Sequence, residues 1–345
     1  MGSEGRSVDV PVSGQGVRVR IVVGWIVVVA LGVAGWARWW VDADLELATP
    51  TVEVLIPYGM SPRDVAVAVV DAGVQTPAWL LYAWFRLSGK APQLKAGNYE
   101  WEAGVTPRSL LARLVRGDIS VRAVTLVEGW NLWQCLQALS REEHLQHDAQ
   151  GLEPSALMKK LGRPGKHPEG RFFPDTYHYT KGSSELALLR RALRAMDTQL
   201  AQAWRQRVPQ LAVSTPEEAL ILASIIEKET GTAADRTMIS SVFHNRLRRK
   251  MPLQSDPTVI YGMWKRFDGN LRKRDLQESS PWNTYTRAGL PPTPIAMPGK
   301  AALLAAVQPA RSAALYFVAR GDGSSQFSND LSDHNRAVNR YQRGR

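Results

Sequence analysis

The chain has 345 residues, 44% of them apolar and 22% charged, a balance that excludes a disordered or low-complexity chain and leaves room for about two or three domains. Its formal net charge of +11 suits an anionic partner such as nucleic acid, a membrane surface or an acidic polymer, or serves only solubility and topology. The single cysteine, Cys135, excludes an intramolecular disulfide; no Cys/His cluster suggests a metal, and no cofactor is expected.

Residues 1–20 are polar and carry Arg6, Arg18 and Arg20. Ile21–Ala37 carries no charge, a span at the short end of the ~17–25 residues that cross a bilayer as a helix. Trp36, Trp39 and Trp40 follow, with Arg38 among them, as in an interfacial aromatic belt. The pattern predicts a cytoplasmic tail over 1–20 and a transmembrane anchor over 21–40, because preceding arginines hold the N-terminus in the cytoplasm and export the rest. A cleaved signal peptide competes, but the small residues Ala30, Gly32 and Ala34 make a poor cleavage site. A buried core helix would need a polar face, which the segment lacks.

After a short polar linker over 41–50, one pattern recurs. Ile56–Arg63, Trp101–Arg108 and Leu126–Asn131 each precede an apolar-periodic run. Each copy reads as a strand, a glycine turn, an N-cap and an amphipathic helix. Ser61 and Thr106 suit the cap, with Pro62 and Pro107 at the first helical position. The three copies imply one small α+β module, bounded here as 41–140. Cys135, in the helix-like run Leu132–Leu136, reads as a buried, inert thiol.

Residues 141–345 form the second folded part. The stretch 141–183 is loop-rich and contains Pro168-Glu169-Gly170-Arg171-Phe172-Phe173-Pro174-Asp175-Thr176-Tyr177, equally readable as a cleft wall or a packed loop. Leu186, Leu189, Leu193, Met196 and Leu200 recur at helical spacing over 184–208. A further helix begins at Thr215, with Pro216 next and Glu218 placed for a capping box. It runs to Thr230, is apolar nearly all round, and is expected to be central and buried.

Glu229 follows Leu222, Ile225 and Ile226 at spacings of seven, four and three, which puts it on their helix face. Partial burial there would raise its pKa, as a proton donor near neutral pH requires. The C-terminal end of a helix also disfavours a carboxylate. Glu227 points to roughly the other side, and an acid in the last turn that simply faces water remains the alternative for Glu229.

Three downstream stretches offer the rest of a site: Met251–Gly262 with Gln254, Ser255 and Asp256; Ser280–Pro294 with Asn283 and Tyr285; and Leu315–Ser328, a hairpin around Asp322-Gly323 followed by Asp333-His334-Asn335 on a helix. Amides, carboxylates and aromatic faces suit sugars, although Asn, Asp, Gly and Pro also populate ordinary turns.

The ordered set Ala223–Thr230, Val242–Leu247, Leu253–Gly262, Asn283-Thr284-Tyr285, Gly289–Pro292, Tyr316–Val318 and Phe327–Asn335 resembles the MltG (YceG-like) endolytic murein transglycosylases over essentially the whole chain after the anchor. The resemblance implies an α+β protein of the inner membrane: a single-pass transmembrane helix, a LysM-like peptidoglycan-binding module and a periplasmic catalytic domain of mixed helices and strands. It implies cleavage of nascent glycan strands between N-acetylmuramic acid and N-acetylglucosamine, leaving a 1,6-anhydro end and terminating elongation beside peptidoglycan synthases. The family's catalytic glutamate is the second in E-K-E-T, Glu229 here. Gln254, Ser255, Asp256, Asn283 and Tyr285 would hold the strand. His244 departs from the apolar residue usual there and is read as packing variation. The alternatives are a hydrolytic muramidase with Asp256 as second carboxylate, and a non-catalytic peptidoglycan-binding scaffold. DNA binding, the other reading of the basic charge, is set aside because export removes the polymer.

Overall fold

The computed structural model describes residues 15–118 and 120–343. The start of the expected tail, residues 1–14, lies outside them. The chain divides into two compact units, Met1–Ser120 and Val121–Arg345.

The first unit begins with α1, Gln15–Asp42. Its stretch Gly24–Asp42 is long and apolar enough to cross a membrane, and Trp25, Ile26 and Leu31 stand exposed on it. The helix ends beside folded structure. Arg108 donates to both carboxylate oxygens of Asp42 at 2.6 and 3.2 Å. The expected linker is no linker: Val41 and Leu45 are buried, and β1 (Glu46–Leu47) pairs with β3 (Val74–Gln75). The buried side chains of Val41 and Leu45 draw it against the folded unit.

The remaining elements are β2 (Thr51–Ile56), α2 (Pro62–Asp71), α3 (Ala78–Leu87), β4 (Gly97–Glu102) and α4 (Pro107–Arg116). Ser61 and Thr106 cap α2 and α4 as expected, accepting from the N–H groups of Asp64 and Ser109. β2 and β4 pair antiparallel, with Val52 opposite Trp101 and Val54 opposite Tyr99. Alternate residues therefore share one face, and Val52, Val54, Tyr99 and Trp101 are all buried there. Against them pack Val65 and Val69 of α2, Leu81 and Phe85 of α3, and Leu110 and Leu114 of α4.

The third strand–turn–helix copy belongs to the second unit, so the break in the chain falls at 120/121 and not at 140/141. Its strand β5 (Arg122–Thr125) pairs with β7 (Thr176–Tyr179). Its helix α5 (Leu132–Ser140) starts at a capping box between Asn131 and Gln134. The stretch expected to be loop-rich also holds β6 (Leu145–Gln146), α6 (Pro154–Lys160) and β8 (Ser183–Ser184). Leu126, Cys135, Leu139, Leu157, Phe172 and Tyr177 form one core with the first half of α7 (Glu185–Arg205). Burial pushes the Cys135 thiol up to about 12, as expected of an inert group.

A second core surrounds α8, Pro216–Glu229. Every residue from Ala219 to Ile226 is buried, which is why no polar face was visible in sequence. Each large side chain so buried stabilises by roughly 1.5–3 kcal/mol. Thr215 accepts from the Glu218 N–H, but the expected capping box does not close. The Glu218 carboxylate accepts instead from the N–H of Ser214.

Around α8 lie α9 (Arg236–Arg248), α10 (Asp256–Met263), α11 (Lys273–Gln277) and α12 (Lys300–Val307). The chain closes with the hairpin β9 (Tyr316–Ala319) and β10 (Ser325–Ser328), then α13 (Leu331–Val338). His244 does more than fill space. It is fully buried, its Nδ1 accepts from the N–H of Ala212 (3.1 Å), and its Nε2 donates to the carbonyl of Ala306 (2.9 Å). It thereby ties α9 to α12, and desolvation pushes its pKa down to about 4.

Candidate active site

α8 breaks at Thr230, whose backbone turns extended while its hydroxyl donates to the carbonyl of Ile226 (2.6 Å). That cap fixes the last turn and leaves Glu229 half-buried beside buried Ile225 and Ile226. Burial raises the Glu229 pKa to about 7; a hydrogen bond from Ser255 opposes the rise and the Asp256 carboxylate adds to it. Desolvation wins because the ionised form loses more hydration than one hydroxyl donor returns.

The neighbouring acid differs. Glu227 is directed to the backbone, accepting from the N–H of Gly299 (2.9 Å). Lys228 between them is exposed and donates to the carbonyl of Gly129 (3.3 Å).

Ser255, at the N-cap of α10, donates its hydroxyl to Oε1 of Glu229 at 2.6 Å. It makes no side-chain cap bond. Its own N–H donates to Thr284 Oγ1 (3.1 Å), and Thr258 Oγ1 lies 2.8 Å from the same oxygen. A buried hydroxyl network thus fixes the side chain that holds the acid.

Gln254 has φ +53, a left-handed conformation uncommon outside glycine. Its Oε1 accepts from Arg246 (2.9 Å), and its N–H donates to the carbonyl of Thr284 (3.0 Å). Buried Arg246 also donates to the carbonyls of Leu253 and Leu315. Asp256 is exposed in the first turn of α10 and accepts from the hydroxyl of Tyr285 (2.5 Å). Asn283 is buried. Its amide nitrogen donates to the carbonyls of Leu276 (3.0 Å) and Glu278 (2.7 Å), and its oxygen accepts from the N–H of Tyr285 (2.8 Å). Its hydrogen-bonding capacity is spent on shaping the loop that presents Tyr285.

The structure therefore gathers Glu229, Ser255, Asp256 and Tyr285, places Gln254 beside them through Arg246, and sets Asn283 behind them. Sequence reasoning missed Arg246, Thr258 and Thr284. An arginine three residues after Phe243 on an apolar-faced helix was a usable signal for the first; the threonines carry none.

Two concavities flank the acid's neighbours. One, of about 740 Å³, is lined by Asn131, Trp133, Lys228, Pro257, Tyr261 and Trp264 among others. The other, of about 460 Å³, is lined by Pro281, Thr284, Arg287 and Gly289–Pro292. The larger has a buried acid behind its wall. Glu169 accepts from the N–H of Leu132 (3.0 Å) and the hydroxyl of Tyr261 (3.1 Å), and desolvation raises its pKa to about 7. Gly170, at φ +75, lets the chain pass Pro294, since an added Cβ would lie 2.4 Å from the proline Cβ. The Pro168–Tyr177 segment is thus a packed wall reaching a cavity through Tyr261.

The family model described as YceG-like matches residues 54–340. A protein of Bacillus subtilis (strain 168) named endolytic murein transglycosylase is 31% identical over 308 residues, covering 84% of this chain and 85% of that one. One of the same name from Streptococcus pneumoniae is 28% identical over 324 residues, covering 83% of this chain and 58% of that one. The crystal structure of a yceG-like protein from Listeria monocytogenes aligns with a TM-score of 0.53 at 28% identity, over 83% of this chain and 98% of that one. With the match running through both folded units and through the stretch that carries Glu229 and Ser255, the chain belongs to the YceG-like family.

Proposed function

We propose that this chain is an endolytic murein transglycosylase, a lytic enzyme that cuts glycan strands of peptidoglycan with Glu229 as its one acid–base group. The observation that carries this reading is a half-buried carboxylic acid at the end of a buried helix, with a pKa raised to about 7 and a fixed hydroxyl on one oxygen. The activity itself follows the curated relatives of that name.

Protonated Glu229 donates to the oxygen bridging N-acetylmuramic acid and N-acetylglucosamine, and the bond from that oxygen to the muramoyl C1 breaks. The oxygen of the same sugar's 6-hydroxyl adds to C1, and its proton returns to the Glu229 carboxylate. The products are a 1,6-anhydromuramoyl end and a free 4-hydroxyl; no water is consumed. Ser255 steers the acid. In this reading Asp256 and Tyr285, joined at 2.5 Å, serve to stabilise charge developing on the sugar.

Asp256 also favours a second reading, because a carboxylate beside the acid is what a hydrolytic muramidase uses. A non-catalytic peptidoglycan scaffold is the third. Digestion of nascent glycan strands, read by mass spectrometry, separates them. The transglycosylase gives anhydro ends, the hydrolase gives products heavier by one water, and Glu229→Gln leaves a scaffold's binding role intact while abolishing either activity. Undiminished anhydro product from Glu229→Gln would remove the site assignment.

The finer organisation is proposed from helix α1 and the first folded unit. Helix α1 supports a single-pass anchor in the inner membrane, and the arginines before it support a cytoplasmic N-terminus with the catalytic unit in the periplasm. The first unit's own two-stranded sheet and helical core support a LysM-like peptidoglycan-binding module. Association with peptidoglycan synthases fits an enzyme that terminates strand elongation. No nucleic acid is expected as a partner.

A further inference from the structure

We infer that the 740 Å³ cavity beside Glu229 is a sugar subsite that takes one N-acetylhexosamine ring of the strand, with Trp264 as its specificity-determining face. The inference rests on the reading that the chain acts on glycan strands and names a subsite for them.

Trp264 carries the first observation. Its backbone sits at φ +51, ψ −124, a conformation that suits glycine and is strained for a bulky side chain. Burial does not compensate, because the residue is 42% exposed. Its ring rests edge-on against Tyr261 (6.2 Å, 78°), which rests edge-on against Trp282 (5.6 Å, 62°). The Tyr261 hydroxyl is anchored on buried Glu169. A strained, half-exposed indole on a braced aromatic platform is an arrangement that folding alone does not require.

The lining carries the second. Trp133 of α5, 48% exposed, lines the same cavity. The capping box at the start of α5 uses the side-chain oxygens of Asn131 and Gln134, each accepting from the other's backbone N–H at 3.0 Å. Among the described residues neither amide nitrogen has a partner. Flat apolar faces with amide donors at the rim match a pyranose, which offers a C–H face together with hydroxyl and acetamido oxygens. The volume lies within the ~300–1,000 Å³ of small-molecule sites.

Continuity with the acid carries the third. Lys228 and Pro257 line the cavity and are the chain neighbours of Glu229 and Asp256. A ring bound here is the one next to the bond to be cut. The Lys228 ammonium, donating to the Gly129 carbonyl at the cavity wall, adds a positive charge to the lining.

Trp264→Gly is the discriminating variant, because glycine accepts the backbone conformation and removes only the ring. In the full chain carrying Glu229→Gln, strand binding is measured by isothermal titration calorimetry, with stem-free and stem-bearing glycan strands as probes. Trp264→Gly is expected to weaken binding of stem-free strands about tenfold, at an unchanged or raised melting temperature. Trp264→Phe is expected to recover most of the loss. Unchanged affinity for stem-free strands, or a loss confined to stem-bearing ones, would overturn the sugar assignment, the latter in favour of a peptide site. Trp264-dependent binding by a wild-type chain that leaves strands uncut would sink the transglycosylase reading and keep the subsite.

Discussion

Ser255 Oγ donates a 2.6 Å hydrogen bond to Oε1 of Glu229, joining the last turn of α8 to the N-cap of α10. The two residues are far apart in the chain, and the bond both aims the acid and lowers a pKa that burial raises. Activity that needs protonated Glu229 falls as pH rises through about 7. Ser255→Ala is expected to move that alkaline limb to higher pH, because the bond favouring the ionised form is gone. It should also lower kcat/KM about 10- to 100-fold by loosening the acid. A pH–rate profile of anhydro-product formation checks both. A limb that stays in place would show that Glu229 is not the titrating group.

Buried Glu169 predicts a pH-dependent stability. Its folded pKa of about 7 lies above the ordinary 4.5, so the folded state keeps a proton that the unfolded state has released between those values. Its contribution is full below about 4.5 and is lost as pH rises through about 7. Glu169→Gln is therefore expected to flatten the fall in urea stability between acidic and mildly alkaline pH, by on the order of 3 kcal/mol at most. Comparing variant with wild type isolates this group, since the other titrations are common to both.

His244 is expected to be structural. Removing it leaves the Ala212 N–H and the Ala306 carbonyl unpaired in the core and opens a cavity. His244→Ala should cost about 2–4 kcal/mol in equilibrium unfolding. Its folded pKa of about 4 is below the usual 6.5, so its contribution is present above 6.5 and drains away as pH falls towards 4. A near-neutral alanine variant would return His244 to mere packing variation.

Gly170 and Gly151 form a matched pair, at φ +75 and +72. A Cβ at Gly151 meets nothing within 4 Å, whereas at Gly170 it meets Pro294. Gly151→Ala should cost only the left-handed backbone term, about 1–2 kcal/mol. Gly170→Ala should cost about 3 kcal/mol or more, since a proline cannot swing aside. It should also reduce activity by shifting the wall behind Tyr261. Thermal denaturation of the two variants side by side is the check; equal losses would show that the Pro294 contact yields.

What the sequence by itself determined was local. The anchor-like run, the caps at Ser61, Thr106 and Thr215, the buried α8 and the hairpin around Asp322-Gly323 follow from hydrophobic period and from which residue can satisfy a nearby backbone group. Glu229 was legible for the same reason, since its spacing from Ile225 and Ile226 is a property of one helix. Only the tertiary structure decided which strands pair. β5 looked like a third copy of one module, yet joins β7 in the second unit, because edge strands choose partners by register and burial. Tertiary structure also decided that Asn283 is spent on backbone carbonyls, that Glu169 is buried behind Tyr261, and that Ser255 reaches Glu229. The last two of those bonds link residues distant in sequence, and a contact that depends on how helices pack leaves no periodic trace in either partner's neighbourhood.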